Sequence, residues 1–162
     1  MPKYLKQVNG VLTEETSVTT STANRIVELD GSGKLNVNMM PTGIGPDTAV
    51  IQASENLAAG DFVNIHNSGG ARARKADATT SGKEAHGFVL ASVTSGQNAT
   101  VYFEGTNDQV TGQTAGPVFL ATTAGGATAT APSGAGNVTQ RIGVAISTTA
   151  INFERGEPIV LA

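Results

Sequence analysis

Short apolar runs, each closed by Gly, Asn or Pro, recur from Ala49 to the end of the chain. Apolar residues at helical spacing are almost absent from the same region. Short runs bounded by turn residues are typical of β-strands, and a long series of them is typical of an all-β domain. The pattern therefore predicts an all-β fold, a small antiparallel barrel or sandwich, over residues 49–162.

The clearest hairpin lies in the stretch AGDFVNIHNSGGARARKAD, residues 59–77. Side chains of Asp61–His66 alternate between the two faces of a strand. Asn67–Gly70 follows, and its two glycines can adopt the positive φ angles that a tight hairpin turn requires. Ala71–Ala76 is then the returning strand, so the glycines of this stretch serve the geometry of a turn.

A second regular pattern occurs in Arg141–Ser147, near the end of the chain. Ile142, Val144 and Ile146 alternate with Gly143 and Ala145. Strict alternation predicts a strand with one buried face, here the face that carries the three β-branched residues.

Composition excludes several classes of protein. Hydrophobic residues make up 39% of the 162 residues, charged residues 14% and aromatic residues 4%, with a net charge of −3. This low charge argues against intrinsic disorder and against a general nucleic-acid surface. The absence of cysteine excludes disulfides, thiolate metal sites and cysteine nucleophiles. With neither a signal peptide nor a membrane span recognised, we expect a soluble protein made in the cytoplasm.

Residues 1–48 differ from the rest because their periodicity is weak. Ile26–Leu29 and Leu35–Met40 could form strands around a turn at Asp30–Lys34, and a run rich in Pro and Gly follows. We interpret this region as an extended N-terminal arm that has room for one hairpin. An edge hairpin of the main domain is the alternative, and it stays open.

Candidate catalytic and metal-ligating residues are few. His66 and His86 lack ligand spacing, so they could bind a metal only if the fold brought them together with a carboxylate such as Asp77 or Glu84. No nucleophile and base stand in a recognisable arrangement. The sequence therefore predicts no catalytic residues, no metal, no cofactor and no enzymatic activity.

Arg72, Arg74 and Lys75 form the densest basic cluster. A nucleic-acid site would place aromatic side chains among these cations, and none are present. Arg72 and Arg74 share one face of the predicted strand, so a solvated face and a contact with a protein partner are the two interpretations that remain.

Three segments carry a resemblance to a known family: IVELDGSGKLNVNMMPTGIG, ENLAAGDFVNIHNSGGARARKADATTSGKEAHGFVLASVTSGQNATVYFEG and AGPVFLATTAGGATATAPSGAGNVTQRIGVAIS. Together they resemble the head-decoration, or capsid cement, proteins of tailed bacteriophages. Similar segments also look like modules of phage tail-fibre and tail-tip proteins. The resemblance covers nearly the whole chain, and its elements are turns and strands without a catalytic signature.

The resemblance implies a β-domain on the exterior of the virion capsid, assembled as a homotrimer or a homodimer. Its partner would be the major capsid protein, and an arm would reach over neighbouring capsid subunits. A receptor- or carbohydrate-binding module of a tail or fibre is the alternative function. Apolar residues of the arm are the predicted anchors, with a frayed terminus as the other interpretation. These anchors are Tyr4, Leu5, Val8, Val11 and Leu12.

Overall fold

The computed structural model of the protein consists of two compact units, Met1–Gly45 and Pro46–Ala162. Within the described residues the regular structure is fourteen β-strands and no α-helix, which confirms the all-β prediction. The strands predicted at Ile26–Leu29 and Leu35–Met40 fall mostly outside the described residues. The structure describes residues 3–17, 27, 29, 31, 33–35, 39 and 45–162.

The first unit contains an antiparallel hairpin of β1 (Lys3–Val8) and β2 (Val11–Thr16). Asn9 and Gly10 form the turn between them with φ angles of 50° and 82°. Two consecutive positive φ values define the type I′ turn, whose twist matches that of the flanking strands. A hairpin thus stands at the start of the predicted arm, where no strand was predicted.

A closed barrel of five strands forms the first part of the second unit. The strands follow the order β3–β5–β4–β6–β7 around the barrel, and β7 pairs with β3 to close it. The contact between β3 and β5 is parallel, whereas the other pairs are antiparallel as predicted. The strands are β3 (Thr48–Ala53), β4 (Phe62–Asn67), β5 (Ala71–Lys75), β6 (Gly87–Val89) and β7 (Asn98–Tyr102).

The hairpin predicted within residues 59–77 is confirmed as β4 and β5. Gly69 and Gly70 adopt φ angles of 68° and 121° in its turn. The Asn67 side chain supports the turn, since its Oδ1 accepts a hydrogen bond of 3.1 Å from the backbone N–H of Gly70.

A second, open sheet follows the barrel along the chain, in the order β10–β9–β12–β13–β8. All of its pairs are antiparallel. A separate short pair joins β11 (Val138–Thr139) to β14 (Ile159–Val160). The sheet strands are β8 (Gly105–Asn107), β9 (Gly116–Leu120), β10 (Ala127–Thr128), β12 (Arg141–Ser147) and β13 (Ala150–Phe153).

The prediction that one face of β12 buries three β-branched residues is wrong. Ile142 is fully buried, but Ile146 is 60% exposed and Ala145 is buried instead. The register of β12 shifts twice, at Ile142 against β9 and at Ile146 against β13, and after the first shift the buried positions are Gly143 and Ala145. Gly143 lies between the two shifts at φ 138°, and the Asn152 carbonyl oxygen occupies the space that a Cβ would need.

Two hydrophobic cores stabilise the second unit. One fills the barrel with small aliphatic side chains such as Val63, Ala73 and Val101. The other joins the outer surface of the barrel to the open sheet, and it contains most of the aromatic residues. The Phe153 ring from β13 lies 5.8 Å from Phe62 and 5.6 Å from Phe88, measured between ring centres. The barrel and the sheet therefore share one buried layer.

Candidate functional site

The β1–β2 hairpin exposes an apolar face. The pairings Leu5 with Glu14 and Gln7 with Leu12 place Leu5 and Leu12 diagonally on one face. Leu5 is 71% exposed and Leu12 is 67% exposed. Beside them the Lys3 Nζ lies 3.0 Å from the Glu14 Oε2, in an exposed ion pair. We call Leu5, Leu12 and this ion pair the leucine face.

The remaining predicted anchors are distributed differently. Tyr4 pairs with Glu15 and is half-buried, whereas Val11 is 63% exposed. The Val8 backbone pairs with that of Val11 beside the turn. The predicted anchors thus lie along both strands of one hairpin, and Leu5 and Leu12 form their exposed pair on the leucine face.

An isolated two-stranded hairpin is marginally stable in water, because it has too little apolar surface to bury. In the leucine face, the side chains of Leu5 and Leu12 are in contact with solvent. A strand pair of this kind gains stability when a second surface covers it, and its backbone edges can also add to a neighbouring sheet. The geometry therefore suits a docking element.

The three residues of the basic cluster, Arg72, Arg74 and Lys75, lie in different environments. Arg74 is committed to the fold: its Nε donates to the Asn64 Oδ1 at 3.0 Å, and its guanidinium also donates to the Gly82 carbonyl at 2.6 Å. Lys75 extends to the Asp61 carboxylate, 3.2 Å away. Arg72 forms no ion pair within the described residues, and its guanidinium donates only to the Ala71 carbonyl. Of the three, Arg72 is the cation that a partner could contact.

His66 and His86 form separate hydrogen bonds with barrel residues. The Nδ1 of His86 accepts a hydrogen bond of 2.9 Å from the backbone N–H of Ile65. Burial, followed by repulsion from Arg155, lowers the pKa of His86, although Glu84 opposes this. His66 instead lies 3.0 Å from the Ser54 hydroxyl. Burial and the nearby Arg74 and Arg72 lower the pKa of His66 against the opposing charge of Glu55.

Asp77, one of the two carboxylates considered as metal partners for these histidines, is occupied elsewhere. Asp77 accepts hydrogen bonds from Thr79, and its Oδ2 lies 3.0 Å from the Lys83 Nζ. Burial alone would raise the pKa of Asp77, but these bonds hold it below its ordinary value. In the part of the chain that the structure describes, no group of three His, Asp or Glu residues could hold a metal ion.

Two cavities open on the second unit, with volumes of about 600 Å³ and about 330 Å³. The larger one is lined by loops that include Asp61, Gln109 and Gln113. The smaller one lies beside β7, around Tyr102. The described residues contain no helix of the length and apolarity needed to cross a membrane.

Comparisons with protein-family models, with curated proteins and with solved structures found no match to this chain.

Proposed function

We propose that this protein is a structural component of a tailed-phage virion, which binds the exterior of the capsid and stabilises it by bridging major-capsid subunits. The role is mechanical, with no catalytic step. The observation that carries the proposal is the leucine face, where Leu5 and Leu12 of the β1–β2 hairpin are exposed to solvent. The resemblance of three long segments to decoration proteins supplies the identity of the partner.

The energetics of the hairpin support a docking role. Full burial of a leucine side chain contributes about 1.5–3 kcal/mol, so covering Leu5 and Leu12 provides a useful gain at each contact. Binding must also offset the loss of translational and conformational freedom, which makes a single contact weak. Many copies on a lattice, each bridging two subunits, convert weak contacts into a stable particle.

The closed barrel also supports a structural role. A closed barrel has no free strand edges. It therefore resists both detachment of an edge strand and edge-to-edge aggregation. A rigid domain of this kind transmits force between its contacts. We further propose that the protein assembles as a homotrimer or homodimer at a local symmetry axis of the capsid. Each bound oligomer then carries two or three β1–β2 hairpins.

Co-sedimentation with emptied, undecorated heads tests the proposal. We expect saturable binding at a fixed ratio to the major capsid protein, and heads that survive higher temperatures once decorated. The ratio then gives the number of copies at each site. A variant that lacks residues 1–17 should keep its barrel, as judged by circular dichroism, and lose most of its binding. Absence of binding by the full chain would reject the capsid role and favour a tail or fibre module.

A further inference from the structure

The smaller cavity arises where two barrel strands differ in length. β6 ends at Val89, opposite Val101, whereas β7 continues back to Asn98. The chain after β6 turns away and leaves a recess of about 330 Å³ beside β7. This volume is at the lower end of the range of about 300–1,000 Å³ that is typical of small-molecule sites. The recess is large enough for one ring.

One side of the recess is apolar and firmly supported. Leu90 and Tyr102 pack against the aromatic core, and Val93 packs against the core inside the barrel. The Tyr102 ring also stacks on Phe88, with ring centres 5.4 Å apart and planes at 19°. Because both cores support this wall, the recess exists before any ligand arrives.

The other side of the recess is polar and uncommitted. Asn98 and Thr100 are exposed and line the cavity, and Tyr102 carries a hydroxyl at the same place. None of these three side chains forms a hydrogen bond within the described residues, and Ser92 accepts only one, from the backbone N–H of Ala59. Amide and hydroxyl groups without partners can recognise a hydroxylated ligand.

In the larger cavity the carboxylate and amide side chains are already engaged. Asp61 already binds Lys75 and the backbone N–H of Ala58, and Gln109 binds Asp108. Gln113 donates to the Thr111 carbonyl. Its carboxylate and amide groups are therefore occupied by the protein, which leaves threonine hydroxyls as its free polar groups, although the cavity is nearly twice the size.

We propose that the recess around Tyr102 is a binding site for a neutral pyranose unit of a glycan. A pyranose ring has an apolar C–H face, which suits the Tyr102 ring and Leu90, and a hydroxylated edge, which suits Asn98 and Thr100. The lining residues carry no charge, so a charged sugar gains no ion pair there. A purely apolar side chain in the recess would leave the amide and the hydroxyl desolvated and unpaired. The site is independent of capsid binding.

Titration of the ¹⁵N-labelled full chain with glucose, galactose and N-acetylglucosamine, monitored by amide chemical shifts, tests the site. Affinity for a single ring should be in the millimolar range, with saturable shifts confined to Leu90–Val93 and Asn98–Tyr102. Glucuronic acid should bind more weakly than the neutral sugars. Tyrosine fluorescence is a second readout. The chain contains no tryptophan, and Tyr4→Phe leaves Tyr102 as the remaining tyrosine fluorophore.

Asn98→Ala should weaken binding by about two- to tenfold, which corresponds to one hydrogen bond. Tyr102→Ala should abolish binding, and Tyr102→Phe, which keeps the ring, checks that any loss does not reflect misfolding. Thr148→Ala, at an exposed threonine between β12 and β13, is the matched control and should leave binding unchanged. Absence of saturable shifts with every neutral sugar, or equal shifts in Asn98→Ala, Tyr102→Ala and the wild type, would overturn the proposal.

Discussion

Two hairpins of this chain have the same local design and different surroundings. β1–β2 turns at Asn9 and Gly10, and β4–β5 turns at Gly69 and Gly70, each with positive φ angles. In β4–β5 the neighbouring strands close a barrel, so Val63 and Ala73 are fully buried. In β1–β2 the leucine face is open to solvent.

The difference shows that a turn sequence determines a hairpin's register but not its stability. Barrel closure and the aromatic layer stabilise β4–β5 within the chain itself. Leu5 and Leu12 of the leucine face are exposed instead, and we propose that a partner surface covers them. We therefore place the proposed docking function at the exposed leucines of β1–β2.

The largest contrast is expected from truncating one large side chain in each hairpin. Phe62 is fully buried in β4 between Phe88 and Phe153, so Phe62→Ala should lower the free energy of unfolding by about 3–5 kcal/mol. Leu12→Ala in β2 should change it by no more than about 0.5 kcal/mol, because its side chain is exposed. Urea unfolding of the free protein measures both. Similar losses in the two variants would refute the comparison.

The next contrast lies between two arginines of β5. Arg74→Ala removes the donor to the Oδ1 of Asn64, a residue that is 2% exposed, and should lower the free energy of unfolding by about 1–3 kcal/mol. Arg72→Ala, two residues away on the same strand, should be neutral within about 0.5 kcal/mol. Thermal unfolding distinguishes them. If Arg72→Ala proved the more damaging, Arg74 would not support the barrel as described.

Alanine at the two turns sharpens the comparison further. An L-residue in the left-handed region is strained by about 1–2 kcal/mol, and both Gly10 and Gly70 have positive φ. Gly70→Ala should lower the global stability by about this amount. Gly10→Ala should leave global unfolding unchanged and instead accelerate hydrogen exchange of the β1–β2 amides, since this hairpin belongs to a compact unit separate from the barrel. An equal fall in global stability from both would argue that β1–β2 unfolds together with the barrel.

Acid should affect β4–β5 through His86, and this is the smallest of the expected effects. Burial and Arg155 hold the folded-state pKa of His86 below its ordinary value of 6.5, with Glu84 in opposition. Between these two pKa values the unfolded chain binds a proton that the folded protein does not. The free energy of unfolding is therefore highest above pH 6.5 and falls as the pH drops towards the folded-state pKa.

Protonation of His86 at Nδ1 would also remove the acceptor for the Ile65 N–H. His86→Gln should flatten the dependence of stability on pH, whereas His66→Gln, with its more exposed side chain, should retain most of it. Urea unfolding at a series of pH values measures this. A dependence that persisted in His86→Gln would assign it to other groups.

Sequence reasoning predicted the fold class and the β4–β5 hairpin, because both depend on local alternation and turn residues. It missed the β1–β2 hairpin, although Asn9–Gly10 is a strong short-range turn signal. That signal would also have fixed the register and shown that Leu5 and Leu12 share a face.

Other features depend on contacts that no local pattern contains. The buried face of β12 changes at a bulge that is set by its register against β9. The recess at Tyr102 depends on the unequal lengths of β6 and β7. Such features follow from tertiary pairing, so a single sequence does not reveal them.

The central claim is that the leucine face docks onto the capsid, and one paired measurement tests it most directly. Leu5→Glu combined with Leu12→Glu changes this face alone, and Val50→Glu is the matched control, at a valine of β3 that is 68% exposed. Copies bound per major-capsid subunit are counted after co-sedimentation with undecorated heads. The account predicts that the double variant loses binding at least about tenfold while its barrel stays folded and Val50→Glu binds normally. Normal binding by the double variant would contradict it.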